Sequence, residues 1–249
     1  MFLLEVGNLK ENFSKYFAVE AAVDDALKHE VYRVRHAVYC QELGYERTNQ
    51  NEEETDEYDA RALQIALRAQ NDSRIVGCVR LVQTDPGARD KPLPFETFCV
   101  DAIDRTIIDP AGIDRSRMVE ISRLAVLSDY RKRKGDGSSP IAISDEDMGT
   151  RDQPRFPYIP VGLYLGLLAA AELHGIEYLF TLTEARLARH LSALGFRVHL
   201  IGRAIEHRGK RVPSVIYRTE LMEHLPPFMR PLYDQMLMEM TRQYDCEAV

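Results

Sequence analysis

Residues 118–127 (MVEISRLAVL) form an apolar run of strand length that empties into a cationic, glycine-bearing loop, SDYRKRKGDGSSP, at 128–140. A helix-like run, VGLYLGLLAAAELH, follows at 161–174, and a second strand-like run, EYLFTLT, at 177–183. This strand–loop–helix–strand order constrains the chain more than any other feature, because it calls for an α/β architecture. The loop has a chemistry of its own. Lys132, Gly135 and Gly137 stand in a K-x-x-G-x-G spacing, and glycines let backbone N–H groups turn inward as an anion nest. A helix start behind such a loop adds partial positive charge. Arg131, Lys132, Arg133 and Lys134 add four cations, so the loop suits a pyrophosphate or a phosphopantetheine phosphate. A solvated basic turn would use the same residues.

The flanking sequence extends the pattern. Residues 19–43 carry Val23, Leu27, Val31, Val34, Val38 and Leu43 at helical spacing, with Gly44 as the stop. Residues 45–60 are polar and acidic and read as a loop. Residues 62–70 and 75–83 read as strands joined by a turn at Asn71-Asp72-Ser73, and 90–100, with two prolines, as irregular. Further on, 184–194 reads as a helix closed by Gly195, and 196–202 and 213–220 as strands with a turn around Gly209. A last helix at 227–243 carries a packing stripe of Phe228, Leu232, Met236 and Met240. Alternating strands and helices with hairpins at both ends predict a mixed central sheet with helices on both faces. The 249 residues suit one such domain, 1–249, with an inserted segment at about 138–160 and the C-terminal helix.

Composition removes several function classes. A net charge of -7 argues against a dedicated nucleic-acid binder. No stretch approaches the ~20 apolar residues of a membrane span, and the start, MFLLEVGNLK, lacks a signal-peptide core; a cytoplasmic location is expected. Cys40, Cys78, Cys99 and Cys246 lie far apart with no CxxC, as expected of thiols in a reducing compartment. The seven histidines show no HxH or HExxH spacing, so no metal site is expected.

Two segments carry a family resemblance. Arg123-Leu124-Ala125-Val126 followed by Lys132 to Gly137 resembles the strand and pyrophosphate loop of GNAT acyltransferases. In that family the helix starts directly after the loop, whereas here some 20 polar residues (Ser138 to Ile159) intervene. That departure is more compatible with a carrier-protein donor, whose acidic surface would meet Arg131–Lys134. Upstream, Arg35 and Tyr39, Leu43-Gly44-Tyr45, Asp56 and Asp59, Arg80, and Glu120 with Arg123 follow in the order seen in the acyl-homoserine-lactone (autoinducer) synthases. Tyr39 and Tyr45 stand where those synthases favour Phe and Trp. The insertion and the C-terminal helix are similar to the N-acyl amino acid synthases, especially acyltransferases associated with exosortase (PEP-CTERM) systems.

The resemblance implies a GNAT fold and an acyltransferase. A fatty acyl group would pass from acyl-carrier protein, or acyl-CoA, to the amine of an amino acid or related small metabolite, with no tightly bound cofactor. An acyl-homoserine-lactone synthase using S-adenosylmethionine and a non-catalytic GNAT-fold binding module are the alternatives. Glu120 is the implied base, with Arg123 orienting it or holding the acceptor. Arg35, Tyr39, Tyr45, Asp56, Asp59 and Arg80 would face the acceptor. Leu124, Val126, Arg131, Lys132, Arg133, Lys134, Gly135 and Gly137 would face the donor. Two acids and two guanidiniums could equally pin the acidic loop to the core. In a regular strand, residues three apart face opposite sides, so a shared site for Glu120 and Arg123 predicts a bulge between them. Such a bulge would free a backbone N–H near Leu124–Val126 for the thioester oxygen.

Overall fold

The computed structural model describes residues 8–88, 91–131, 157–193 and 195–247. Helix α1 (Leu9–Tyr16) runs into strand β1 (Phe17–Ala21), and α2 (Asp25–Arg35) follows. Strands β2 (Ala62–Ala69) and β3 (Ile75–Gln83) form a hairpin, and α3 (Pro94–Phe98) precedes β4 (Met118–Val126). Helix α4 (Tyr158–Leu173) leads to β5 (Tyr178–Thr183) and α5 (Ala185–Ala193). The chain closes with β6 (His199–Leu200), β7 (Ile205–Glu206), β8 (Lys210–Tyr217), α6 (Arg218–His224) and α7 (Arg230–Glu247). The sheet order is β1-β2-β3-β4-β5-β8-β6, with β7 paired to β8. All pairings among the described strands are antiparallel except β4 with β5.

Strand alternation divides the core between two faces. Ile65, Leu67, Val79, Leu81, Val119 and Ile121 pack with α4 on one face, while Ala66, Cys78 and Ala125 pack with α2 on the other. Helix α4 is apolar around its whole circumference, and every residue from Val161 to Ala171 is buried. Such a helix is sheathed on all sides: the sheet takes one side and α7 another. Gly166 marks the tightest approach. A Cβ there would lie 2.4 Å from Val19 Cγ1, a β-branched side chain that is itself buried. Gly166→Ala is therefore expected to destabilise the protein by about 1–3 kcal/mol through overpacking. That exceeds the ~1 kcal/mol it gains in helix propensity, and a lowered denaturation midpoint would show it.

The parallel seam positions the site. Strands β4 and β5 are paired only over Met118–Ile121 and Tyr178–Thr181. Beyond that point β4 stays with β3 and β5 stays with β8, so the sheet opens into a cleft.

Several boundaries differ from the sequence expectations. The helix expected over 19–43 begins only at Asp25, because Phe17–Ala21 pairs with β2 as an edge strand. Asp24 caps the helix, its carboxylate accepting from the Leu27 N–H at 2.8 Å. At His36 the helix widens into a π-helical turn that lasts to Glu42. The segment 90–100, read as irregular, contains α3, with Pro94 at its first position, where a missing N–H costs nothing. The strand expected over 213–220 lies at 210–217, and the chain turns helical at Arg218. Of the strand expected over 196–202 only His199 and Leu200 form a strand, and Gly202 makes an isolated bridge to Ile103. The last helix starts at Arg230 rather than 227. Lys132, Arg133, Lys134, Gly135 and Gly137, and the insertion up to residue 156, lie outside the described residues.

Candidate active site

The bulge expected in β4 is present. Cys78 pairs with Ala125 and Arg80 with Ser122, so β4 spends three residues where β3 spends two. Arg123 takes up the slack at a φ of 51°, in the left-handed region that costs a bulky side chain energy. The extra residue reverses the alternation. Glu120 and Ser122 share the α2-side face before the bulge, and Arg123 joins them there.

Glu120 sits at this junction, almost fully buried. The Phe95 N–H, in the first turn of α3, donates to its Oε2 at 2.6 Å. Burial pushes the Glu120 carboxyl up to about 8, outweighing the opposite pull of the Phe95 N–H, Arg80 and Arg123. A carboxyl poised near neutrality, rather than fully ionised, is suited to accept and return a proton.

Beside it lies a buried lattice of ion pairs. Arg35, fully enclosed, donates from Nε to Glu54 at 2.6 Å and from Nη1 and Nη2 to Asp59 at 2.6 and 3.0 Å. Arg80 grips both oxygens of Asp56 at 2.6 and 3.0 Å, reaches Asp59 at 2.8 Å and donates from Nε to Ser122 Oγ at 3.1 Å. Arg123 donates to Glu54, Asp56 and Glu46 at 2.8, 3.1 and 3.3 Å. Burial opposes ionisation of Glu54, but Arg123 and Arg35 overcome it and hold the carboxyl down at about 2. Asp59 is likewise held well below the usual range, where burial loses to Arg35 and Arg80. Three guanidiniums thus meet three carboxylates, Glu54 buried and Asp56 and Asp59 partly so, and neutralise one another.

The cleft at the β4–β5 opening passes from one sheet face to the other. Its α4-side wall is apolar, built from Ile121, Tyr164, Leu187, Leu191 and Ile216. Its other wall is charged and carries Asp56, Arg80, Glu120 and Arg123. Tyr39 reaches the cleft from the π-helical turn, its hydroxyl donating to the Leu124 carbonyl at 2.9 Å and its ring lying beside the Arg123 guanidinium.

Of the residues singled out in the sequence, Glu120, Arg123, Tyr39, Asp56, Arg80 and Leu124 line the cleft. Arg35 and Asp59 stand behind that wall as partners of the residues that do. Tyr45 packs against the apolar cluster beside α2, away from the cleft, and Val126 faces α4. Arg131 pairs with Glu42 of the π-helical turn. Glu54, the acid shared by Arg35 and Arg123, escapes sequence reading because it is one of three consecutive glutamates. Ser122 was within reach of it: two residues from Glu120 in a strand means the same face. The opposite lip, with Glu184, His207, Arg208 and Arg211, carries no sequence signal. Among the described residues no cluster of His, Cys, Asp and Glu is arranged to hold a metal ion, and no helix is long and apolar enough to cross a membrane.

Known proteins share this fold. Residues 34–137 match the family model of the acetyltransferase (GNAT) domain. No curated protein matches the chain. Among solved structures, the AHL synthase LasI superposes with a TM-score of 0.56 at 18% identity, over 85% of this chain and 98% of that one. The CoA-dependent acyl-homoserine lactone synthase BjaI, solved with SAM and isopentyl-CoA, gives 0.56 at 18% identity over 88% and 89%. FeeM, an N-acyl amino acid synthase from uncultured soil microbes, gives 0.54 at 14% identity over 84% and 94%. The chain has the GNAT fold, with a mixed central sheet between helices.

Proposed function

We propose that the protein is an N-acyltransferase that moves a fatty acyl group from a thioester donor to the amine of an amino acid or related metabolite, with Glu120 as the base. The observation that carries this reading is the buried Glu120 carboxyl at the point where β4 and β5 part, between an apolar and a charged wall. The acyl chain lies along the apolar wall and the amine enters from the charged one. The amine nitrogen attacks the thioester carbonyl, so a C–N bond forms and the C–S bond breaks. The amine proton passes to Glu120, directly or through a water, and the departing thiolate takes up a proton to leave as the thiol. Arg123 holds the acceptor side of the cleft, and the bulge offers backbone N–H near Leu124 to the carbonyl oxygen. For the donor we favour acyl-carrier protein over acyl-CoA, because the four consecutive cations Arg131–Lys134 complement an acidic carrier surface. The sequence resemblance to exosortase-associated acyltransferases belongs to the same proposal.

The test is incubation of the purified protein with acyl-carrier protein or acyl-CoA and a panel of amino acids, following free thiol and amide product. Failure of every acceptor to release thiol would remove the reading. Appearance of a lactone and methylthioadenosine with S-adenosylmethionine would replace it with the lactone synthase. Base catalysis by a carboxyl near 8 also sets a pH profile. The kcat/KM for the acyl donor should rise roughly tenfold between pH 7 and 9 as Glu120 ionises, and a flat profile would exclude Glu120 as the base.

A further inference from the structure

An α-amino acid presents a carboxylate beside its reacting amine, and a carboxylate held in a partly dry cleft needs a cation. The central arginines are already committed. Arg35, Arg80 and Arg123 are matched one for one by Glu54, Asp56 and Asp59, each bonded through at least two of its three nitrogens. Arg208, on the opposite lip, is held by Glu46. Arg211 is in a different situation. Its Nε is buried and meets no acceptor. Its Nη2 reaches Glu184 at 3.4 Å, a carboxylate about one-third exposed to solvent. Arg211 lies on β8, in phase with Val215, which packs with Met118 and Phe180 on the face that also carries Glu120. Both Arg211 and Glu120 line the cleft.

We propose that Arg211 is the acceptor-recognition residue: its Nε and Nη2 form a bidentate fork for the acceptor's α-carboxylate, with the amine directed toward Glu120. This rests on the acyl-transfer reading of the same cleft and narrows the acceptor to amines bearing an adjacent carboxylate. Before the acceptor arrives, Glu184 holds the place of that carboxylate at one end of the fork, and its exposure lets it withdraw into solvent. Guanidinium–carboxylate forks are short, charge-assisted and selective in geometry, so the arrangement separates an amino acid from its decarboxylated amine.

The experiment compares an amino acid with its decarboxylated amine as acceptors for the wild-type protein and for Arg211→Gln, with folding verified by thermal melting. The wild type should favour the amino acid by roughly 10–100-fold in kcat/KM, the range expected for charged hydrogen bonds. Arg211→Gln should lose that preference through a raised KM for the amino acid, and Arg211→Lys, which keeps the charge without the fork, should retain part of it. Equal use of both acceptors by the wild type overturns the proposal without any variant. A preference that survives in Arg211→Gln, or a raised KM for the acyl donor in place of the acceptor, overturns it as well; the latter would assign Arg211 to a donor phosphate. Should Arg211→Gln not fold, the lysine variant decides, since full wild-type preference there means the fork is not used. Absence of transfer to either acceptor is a different result and removes the parent reading itself.

Discussion

Glu120→Gln is expected to reduce acyl transfer by roughly 10²–10⁴-fold, the usual contribution of a positioned general base, and at the same time to stabilise the fold at alkaline pH. The two effects share one cause. The folded protein holds the Glu120 proton up to about pH 8, whereas a carboxyl in the unfolded chain releases it near 4.5. The folded state therefore binds the proton more tightly. The stability associated with the neutral carboxyl is present below about pH 4.5 and is lost progressively as the pH rises to about 8. The full loss is on the order of a few kcal/mol. Glutamine keeps the shape and can accept from the Phe95 N–H, but it never ionises. Its melting temperature should exceed that of the wild type by roughly 5–15 °C at pH 9, with the gap closing toward pH 4. A variant that stays fully active would place the catalytic base elsewhere, and one no more stable at pH 9 would show that the fold does not hold the Glu120 proton.

Asp59→Ala should be among the most damaging single substitutions in the protein. Asp59 accepts from Arg35 twice, from Arg80, from the Gln64 side chain at 2.8 Å and from the Asp56 backbone at 2.7 Å. Removing it strands the fully buried Arg35 guanidinium with only Glu54. Breaking a buried ion pair from one side costs about 3–5 kcal/mol, set against a total stability of about 5–15 kcal/mol for a protein. The melting temperature should fall by roughly 10–15 °C, and a fall of only a degree or two would show that the lattice is not under load. The same lattice predicts acid lability. Glu54, held down at about 2, and Asp59, held well below the usual carboxylate range, contribute stability that is present above about pH 4.5 and disappears as the pH falls toward 2. Unfolding between those values, followed by circular dichroism, should shift to higher pH when Arg123 is replaced by Met.

The strands of the sheet interior were readable because β-branched and aliphatic runs of five to nine residues bounded by turns have few other folds open to them. Strand β1 was not. Val19 and Ala21 abut the periodic Val23, Leu27, Val31 and Val34, so helical spacing reaches back into a strand whose pairing partners lie 44 to 52 residues on. The site was legible where charge type and strand parity coincided. Counting from Glu120 to Arg123 demanded a bulge, and the bulge is there. The ion-pair residues Arg35, Asp56, Asp59 and Arg80 do converge, yet two of them stand behind the cleft wall rather than on it. Resemblance supplies which residues belong together; it does not supply which of them face the cavity. The Arg208–Arg211 lip stayed hidden because it forms only when the last hairpin folds against β5.

The irregularity in β4 also bears on how such a chain can vary. Between Glu120 and Ala125 the constraint is on length as much as on residue type. A deletion of one residue there would repair the ladder with β3, and the strand would lose nothing as a strand. It would, however, turn either Arg123 or Ala125 onto the wrong side of the sheet. Stability and site would then pull in opposite directions over a single codon. Variation across this stretch should therefore run through substitutions and leave insertions and deletions to the loops.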